Sequence, residues 1–128
     1  MLELFVTVAL GCSMQVPGPS LCFKENVKVY AGHFEPAIIR ILDVARATAP
    51  MLERGIVWVT SANDSTKHVA TSLHHKNRAF DIRTRNIIGH RAVEARLWAE
   101  RMQSALGRHY DIILTLTHIH VEYQPKGD

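Results

Sequence analysis

The segment Ile112-Ile113-Leu114-Thr115-Leu116-Thr117-His118-Ile119-His120-Val121-Glu122-Tyr123 changes phase at its centre. Its apolar residues Ile112, Leu114 and Leu116 stand at even positions, whereas Ile119, Val121 and Tyr123 stand at odd ones. Side chains alternate strictly along a strand, so a single regular strand cannot keep both sets on one core face. The pattern therefore predicts a tight turn or bulge over Thr115 to Thr117, with an antiparallel strand on each side. Beyond it, His118, His120 and Glu122 share the face opposite Ile119 and Val121.

Working outward, Ala79 to Arg83 also alternates. Phe80 and Ile82 point one way, which directs Asp81 away from the apolar side. Ile56 to Thr60 is β-branched and aromatic and predicts a strand that runs into the polar loop Ser61 to Ser72. Two helices are expected. Over Pro36 to Leu52, Ile38, Ile41, Leu42, Ala45 and Ala49 recur at helical spacing, with Pro36 suited to the first turn. Over Arg91 to Leu106, Ala95, Trp98, Met102 and Leu106 form one stripe, and Gly107 suits a C-terminal stop. The alternation of Leu4, Val6 and Val8 predicts a first strand over Leu2 to Leu10. The same stretch faintly resembles a lipoprotein leader, but Glu3 stands where positive charge is wanted and the apolar run is short for export and far too short for a bilayer.

The chemistry is concentrated in Ser72-Leu-His-His-Lys-Asn-Arg-Ala-Phe-Asp81 and in His118-Ile-His120. His74 and Asp81 have six residues between them, and His120 comes from another strand. Together they supply three zinc-type ligands and leave a fourth tetrahedral position for water, as in catalytic zinc sites. Spacing alone leaves a second reading open, because a chain with eight His residues places some near an Asp by chance. His75 reads as a cleft-lining or solvent residue. His33, His68, His90 and His109 have ordinary loop or helix-end readings, although His68 could reach the cleft. His118 projects beside the proposed metal, where a free imidazole suits proton transfer; the other reading is a structural histidine bonded to a neighbouring group.

These two segments resemble the zinc D-alanyl-D-alanine carboxypeptidase and endopeptidase family, which includes vancomycin-resistance dipeptidases and many phage endolysins. Its signature is Ser-x-His-x-x-Gly-x-Ala-x-Asp. Ser72, His74, Ala79 and Asp81 match directly, and Asn77 replaces Gly with a residue that tolerates a left-handed backbone. His118-Ile-His120-Val-Glu-Tyr123 is similar to the family's terminal ligand strand. The resemblance spans Val57 to Tyr123, about half the chain. It implies an α+β hedgehog/D,D-peptidase-like fold in which an antiparallel sheet packs against two main helices. It further implies zinc on His74, Asp81 and His120, a catalytic His118, and a Ser72 that orients the ligand loop or the substrate. The implied substrate is a peptidoglycan stem peptide or cross-link, with action at the bacterial cell wall.

Two departures bear on activity. Where many relatives carry a carboxylate just before the final His motif, this chain has Thr115 and Thr117. A threonine hydroxyl is no base at neutral pH, which leaves Asp111 and Glu122 as the nearby acids, Glu122 suiting a partner that orients a ligand. Ser61-Ala-Asn-Asp64 stands where relatives often have an Arg for the substrate carboxylate, so Lys67, Arg78 or Arg83 would have to replace it. The alternative is therefore a degenerate zinc-binding module that recognises cell-wall peptides without cleaving them.

Length and composition fit this picture. A chain of 128 residues with 47% hydrophobic content supports one globular domain, residues 1–128, expected to be a monomer. The formal charge of +3 comes from 15 basic and 12 acidic residues that are interleaved, which suits approach to an anionic wall and argues against nucleic acid as a partner. No transmembrane segment is expected. Cys12 and Cys22 bracket a Pro-Gly-Pro turn, so they could close a loop in an oxidising compartment or stay as thiols in a reducing one.

Overall fold

The computed structural model describes residues 12–13, 18–24, 36–61 and 78–127. The chain forms β1 (Cys12–Ser13), β2 (Ser20–Phe23), α1 (Pro36–Thr48), a 3-10 turn (Glu53–Gly55), β3 (Ile56–Ser61), β4 (Ala79–Arg83), α2 (Arg91–Leu106), β5 (Tyr110–Leu114) and β6 (His118–Tyr123). The expected first strand over Leu2 to Leu10 lies outside the described residues.

The architecture is α+β, and the sheet is mixed, not wholly antiparallel as expected. Its strand order is β1-β2-β3-β4-β6-β5, and β2 pairs with β3 in parallel while every other neighbouring pair is antiparallel. The reason is the crossover. Parallel neighbours need a long connection, and the segment carrying α1 lies between β2 and β3. Ser20–Phe23 forms a strand that its sequence does not signal, because four residues beside a Pro-Gly-Pro turn carry too little alternation. Cys12 and Cys22 are direct partners in the β1–β2 register and are joined by a disulfide.

The strands place Leu21, Phe23, Val57, Val59, Phe80, Ile82, Ile119 and Val121 in one core with Ile38, Ile41, Leu42 and Ala45 of α1 and Ala95, Trp98, Met102 and Leu106 of α2. The indole of Trp98 is fully buried and donates to the Ala45 carbonyl at 3.2 Å, which fixes α2 against α1. Arg101 Nε donates to the Thr48 carbonyl at 3.0 Å and satisfies one of the terminal acceptors of α1. That helix ends at Thr48, not Leu52, because Pro50 biases Ala49 away from helical geometry. Leu52 instead forms a bridge with Ile87 and is buried. For α2, His90 accepts from the Val93 amide at the N-terminus, and Gly107, at φ 91°, ends the helix in a conformation that favours glycine. Neither helix is long and apolar enough to cross a membrane, nor is any other among the described residues.

The parity break produces a hairpin. β5 and β6 pair antiparallel, with Leu114 opposite Ile119 and Tyr110 opposite Tyr123. The Thr115 amide donates to the His118 carbonyl at 2.9 Å and closes the turn. The Thr115 hydroxyl accepts from the His118 amide at 3.2 Å, so a polar residue here supplies a partner that an apolar one could not. β5 is an edge strand, and Leu114 and Leu116 are 39% and 91% exposed, so apolar alternation before the turn does not translate into burial.

Candidate functional site

The face of the sheet opposite the helices carries the polar residues. β4 and β6 are adjacent, in a register that sets Asp81 opposite His120, Arg83 opposite His118 and Ala79 opposite Glu122. Because Phe80, Ile82, Ile119 and Val121 are fully buried on the other side, alternation forces Asp81, His118, His120 and Glu122 onto a common face. All four side chains are partly buried, Asp81 and Glu122 at 17% exposure, His120 at 20% and His118 at 31%. They are thus partly desolvated while still reachable from solvent.

His120 sits between two carboxylates. Its Nδ1 is 2.8 Å from Asp81 Oδ1, and its Nε2 is 2.7 Å from Glu122 Oε1. A neutral imidazole has one N–H, so only one of these contacts can be a hydrogen bond; the other would oppose two lone pairs. Either a second proton or a cation on the unprotonated nitrogen resolves the conflict. In the metal-free protein the proton is favoured: the hydrogen bond to Asp81 raises the His120 pKa above its ordinary value, burial opposes this, and the bond to Glu122 and the two carboxylate charges raise it further.

The surroundings of Glu122 fix the acceptor that faces His120 Nε2. With its amide turned to donate, Gln124 reaches Glu122 Oε2 at 3.1 Å and Asp111 Oδ2 at 2.9 Å, while Lys126 Nζ pairs with Asp111 Oδ1 at 2.9 Å. Glu122 is thereby held on one oxygen by Gln124 and on the other by His120. A fixed carboxylate accepting from Nε2 turns the Nδ1 lone pair towards Asp81, the arrangement by which metal-binding histidines are oriented. One carboxylate and one imidazole nitrogen on one face are donors of the type zinc takes, two of the three or more that a zinc site uses.

His118 occupies a different role. Its Nδ1 lies 3.1 Å from the Thr115 hydroxyl and 3.0 Å from the Thr117 hydroxyl, and its Nε2 lies 3.8 Å from Asp81 Oδ2. The turn threonines thus fix the imidazole and aim Nε2 into the space beside Asp81. Asp111 and Glu122 are both engaged elsewhere, Asp111 by Lys126 and Glu122 by the far side of the His120 ring, so neither stands beside His118 as a base.

Ser72, His74, His75, His33, His68 and Lys67 lie outside the described residues. Of the expected zinc ligands, the structure brings together Asp81 and His120. Among the described residues no group of three or more His, Cys, Asp or Glu side chains is placed to hold a metal ion. His90 and His109 are far from this face in role: His90 caps α2, and His109 Nδ1 accepts from the Lys126 amide at 2.9 Å. Of the cations expected to hold a substrate anion, Arg78 stacks over Tyr123 at 5.9 Å and Arg83 over Trp58 at 5.6 Å. Arg83 is the one beside His118. Sequence reasoning missed Gln124, whose link to both Glu122 and Asp111 follows only from the hairpin register, and Lys24 and Arg85, which line the same cleft as Arg83. No family model, curated protein or solved structure shows a significant match to the chain, so the family expectation rests on its motif residues alone.

Proposed function

We propose that this chain is a zinc-dependent peptidase acting on peptidoglycan stem peptides or their cross-links, with a hedgehog/D,D-peptidase-like fold. The single observation that carries the reading is His120 held between Asp81 and Glu122, a geometry that calls for a positive charge at Nδ1 and resembles an oriented metal ligand. His74, seven positions before Asp81 in the motif, completes the ligand set. When bound, zinc supplies Lewis acidity towards the scissile carbonyl and lowers the pKa of its water towards about 7. Asp81 and His120 would hold the ion, with Glu122 keeping the His120 proton on Nε2. Ser72 orients the ligand loop or substrate. His118, fixed by Thr115 and Thr117, offers Nε2 to carry a proton or to stabilise charge developing on the carbonyl oxygen.

Metal analysis of the purified protein combined with digestion of purified peptidoglycan tests this. Stoichiometric zinc is expected in the wild type and in His75→Ala, and its loss in His74→Ala and His120→Ala, with release of stem-peptide fragments by the wild type only where zinc is retained. Equal metal content in all variants would remove the ligand assignment. The second reading, a zinc-binding module without hydrolysis, is favoured by Thr115 and Thr117 standing where a carboxylate is expected. Zinc without cleavage of either intact sacculi or short stem peptides would select it.

A further inference from the structure

Beside His118 the sheet face opens into a cleft of about 200 Å³ lined by Lys24, Thr60, Arg83, Arg85, Thr117 and His118. Three cationic side chains, two hydroxyls and an imidazole converge there, and among the described residues no carboxylate lines it. Among the described residues the ion pairs involve Asp81, Glu122 and Asp111, and none of them engages Lys24, Arg83 or Arg85. Lys24 and Arg85 are exposed and Arg83 is partly buried, so the three like charges give the cleft a positive potential that attracts anions. The arrangement is also built into the fold. Arg83 is packed over the Trp58 ring, which leaves its planar fork of donors preset. The Thr84 amide donates to the Thr117 carbonyl at 3.1 Å and ties the Arg83–Arg85 segment to the β5–β6 turn. The Lys24 amide donates to the Val59 carbonyl at 2.9 Å and fixes the end of β2 beside β3.

We propose that this cleft binds a compact oxyanion, the carboxylate or phosphate of a ligand lying across the sheet face. Guanidinium groups and threonine hydroxyls match the in-plane acceptors of such a group, and charge-assisted bonds of this kind are the stronger ones. The Asp81 carboxylate, with Oδ2 3.8 Å from His118 Nε2, repels the same anion and so favours the end formed by Lys24, Arg83 and Arg85. This site needs neither bound metal nor hydrolysis, so it stands or falls apart from the peptidase reading.

Isothermal titration calorimetry of the purified protein, before and after chelation, with inorganic phosphate, acetate, and alanylalanine bearing a free or an amidated C-terminus, tests the site. One saturable anion site is expected, unchanged by chelation. Its affinity should drop about tenfold in Arg83→Gln and in Arg85→Gln and further at high salt. Arg85 is exposed, so Arg85→Gln and Lys24→Gln read the site even where Arg83→Gln disturbs folding. Tightest binding of phosphate assigns the cleft to a free oxyanion, and preference for the free-acid peptide over its amide assigns it to a peptide carboxylate. Absence of anion binding, binding lost on chelation, or binding unchanged in the Arg85→Gln and Lys24→Gln variants would overturn the proposal.

Discussion

Asp81 and His120 are direct cross-strand partners on β4 and β6, with Asp81 Oδ1 2.8 Å from His120 Nδ1. They are 39 residues apart in the chain, and their pairing is carried by buried neighbours on both sides, Phe80 and Ile82 against Val121 and Ile119. The polar contact is thus a product of apolar register. Shifting either strand by one residue would exchange the two faces and remove the contact together with the core.

The Glu122 carboxylate contacts His120 Nε2 at 2.7 Å, on the opposite ring nitrogen from Asp81. Glu122→Gln keeps a similar shape but weakens the acceptor for the Nε2 proton, so zinc affinity is expected to fall about tenfold to a hundredfold with the fold retained. Competition against a chromophoric chelator measures this. Unchanged affinity would mean that Glu122 only packs beside the ring.

The metal-free protein should lose stability as pH rises. The His120 pKa is raised above its ordinary 6.5, chiefly by the hydrogen bond to Asp81. A pKa higher in the folded than in the unfolded state gives a contribution fully present below about 6.5 and lost as pH climbs through the folded value. Urea midpoints of chelated wild type should decline across that window, and the decline should be smaller in His120→Gln. A zinc ion on His120 Nδ1 would compete with the same proton, so on the proposed reading its affinity should weaken as pH falls below the raised pKa.

Removing the His118 imidazole separates binding from chemistry. His118→Ala should keep zinc and fold but lose about a hundredfold or more in stem-peptide cleavage, because a proton-transfer or charge-stabilising group is gone. Thr117→Asp sets a carboxylate where the hydroxyl now lies 3.0 Å from His118 Nδ1 and is expected to raise cleavage at unchanged metal content. Thr115→Glu tests the other turn position. Cleavage that persists at the wild-type rate in His118→Ala would discard its catalytic role.

Trp98 is where the helix pair is most sensitive. Trp98→Ala removes a fully buried side chain and its bond to the Ala45 carbonyl, with an expected cost of about 3–5 kcal/mol by chemical denaturation. Leu97→Ala, one position away and 36% exposed, should change stability by less than about 1 kcal/mol.

By itself, the sequence determined what depends on local periodicity. The change of apolar parity at Thr115 to Thr117 located the β5–β6 turn, the stripe through Ala95, Trp98, Met102 and Leu106 located α2, and strict alternation put Asp81, His118, His120 and Glu122 on the faces opposite their apolar neighbours. Helical and strand periods are properties of a few adjacent residues, so they survive without knowledge of the rest. Tertiary structure alone decided which strands lie side by side. It paired β2 with β3 in parallel, against the expected antiparallel sheet. It set Asp81 across from His120, and gathered Lys24, Arg83 and Arg85 around one cleft from segments far apart in sequence. Such neighbours are chosen by packing one whole apolar face against both helices, a sum over many distant contacts that no short window of sequence contains.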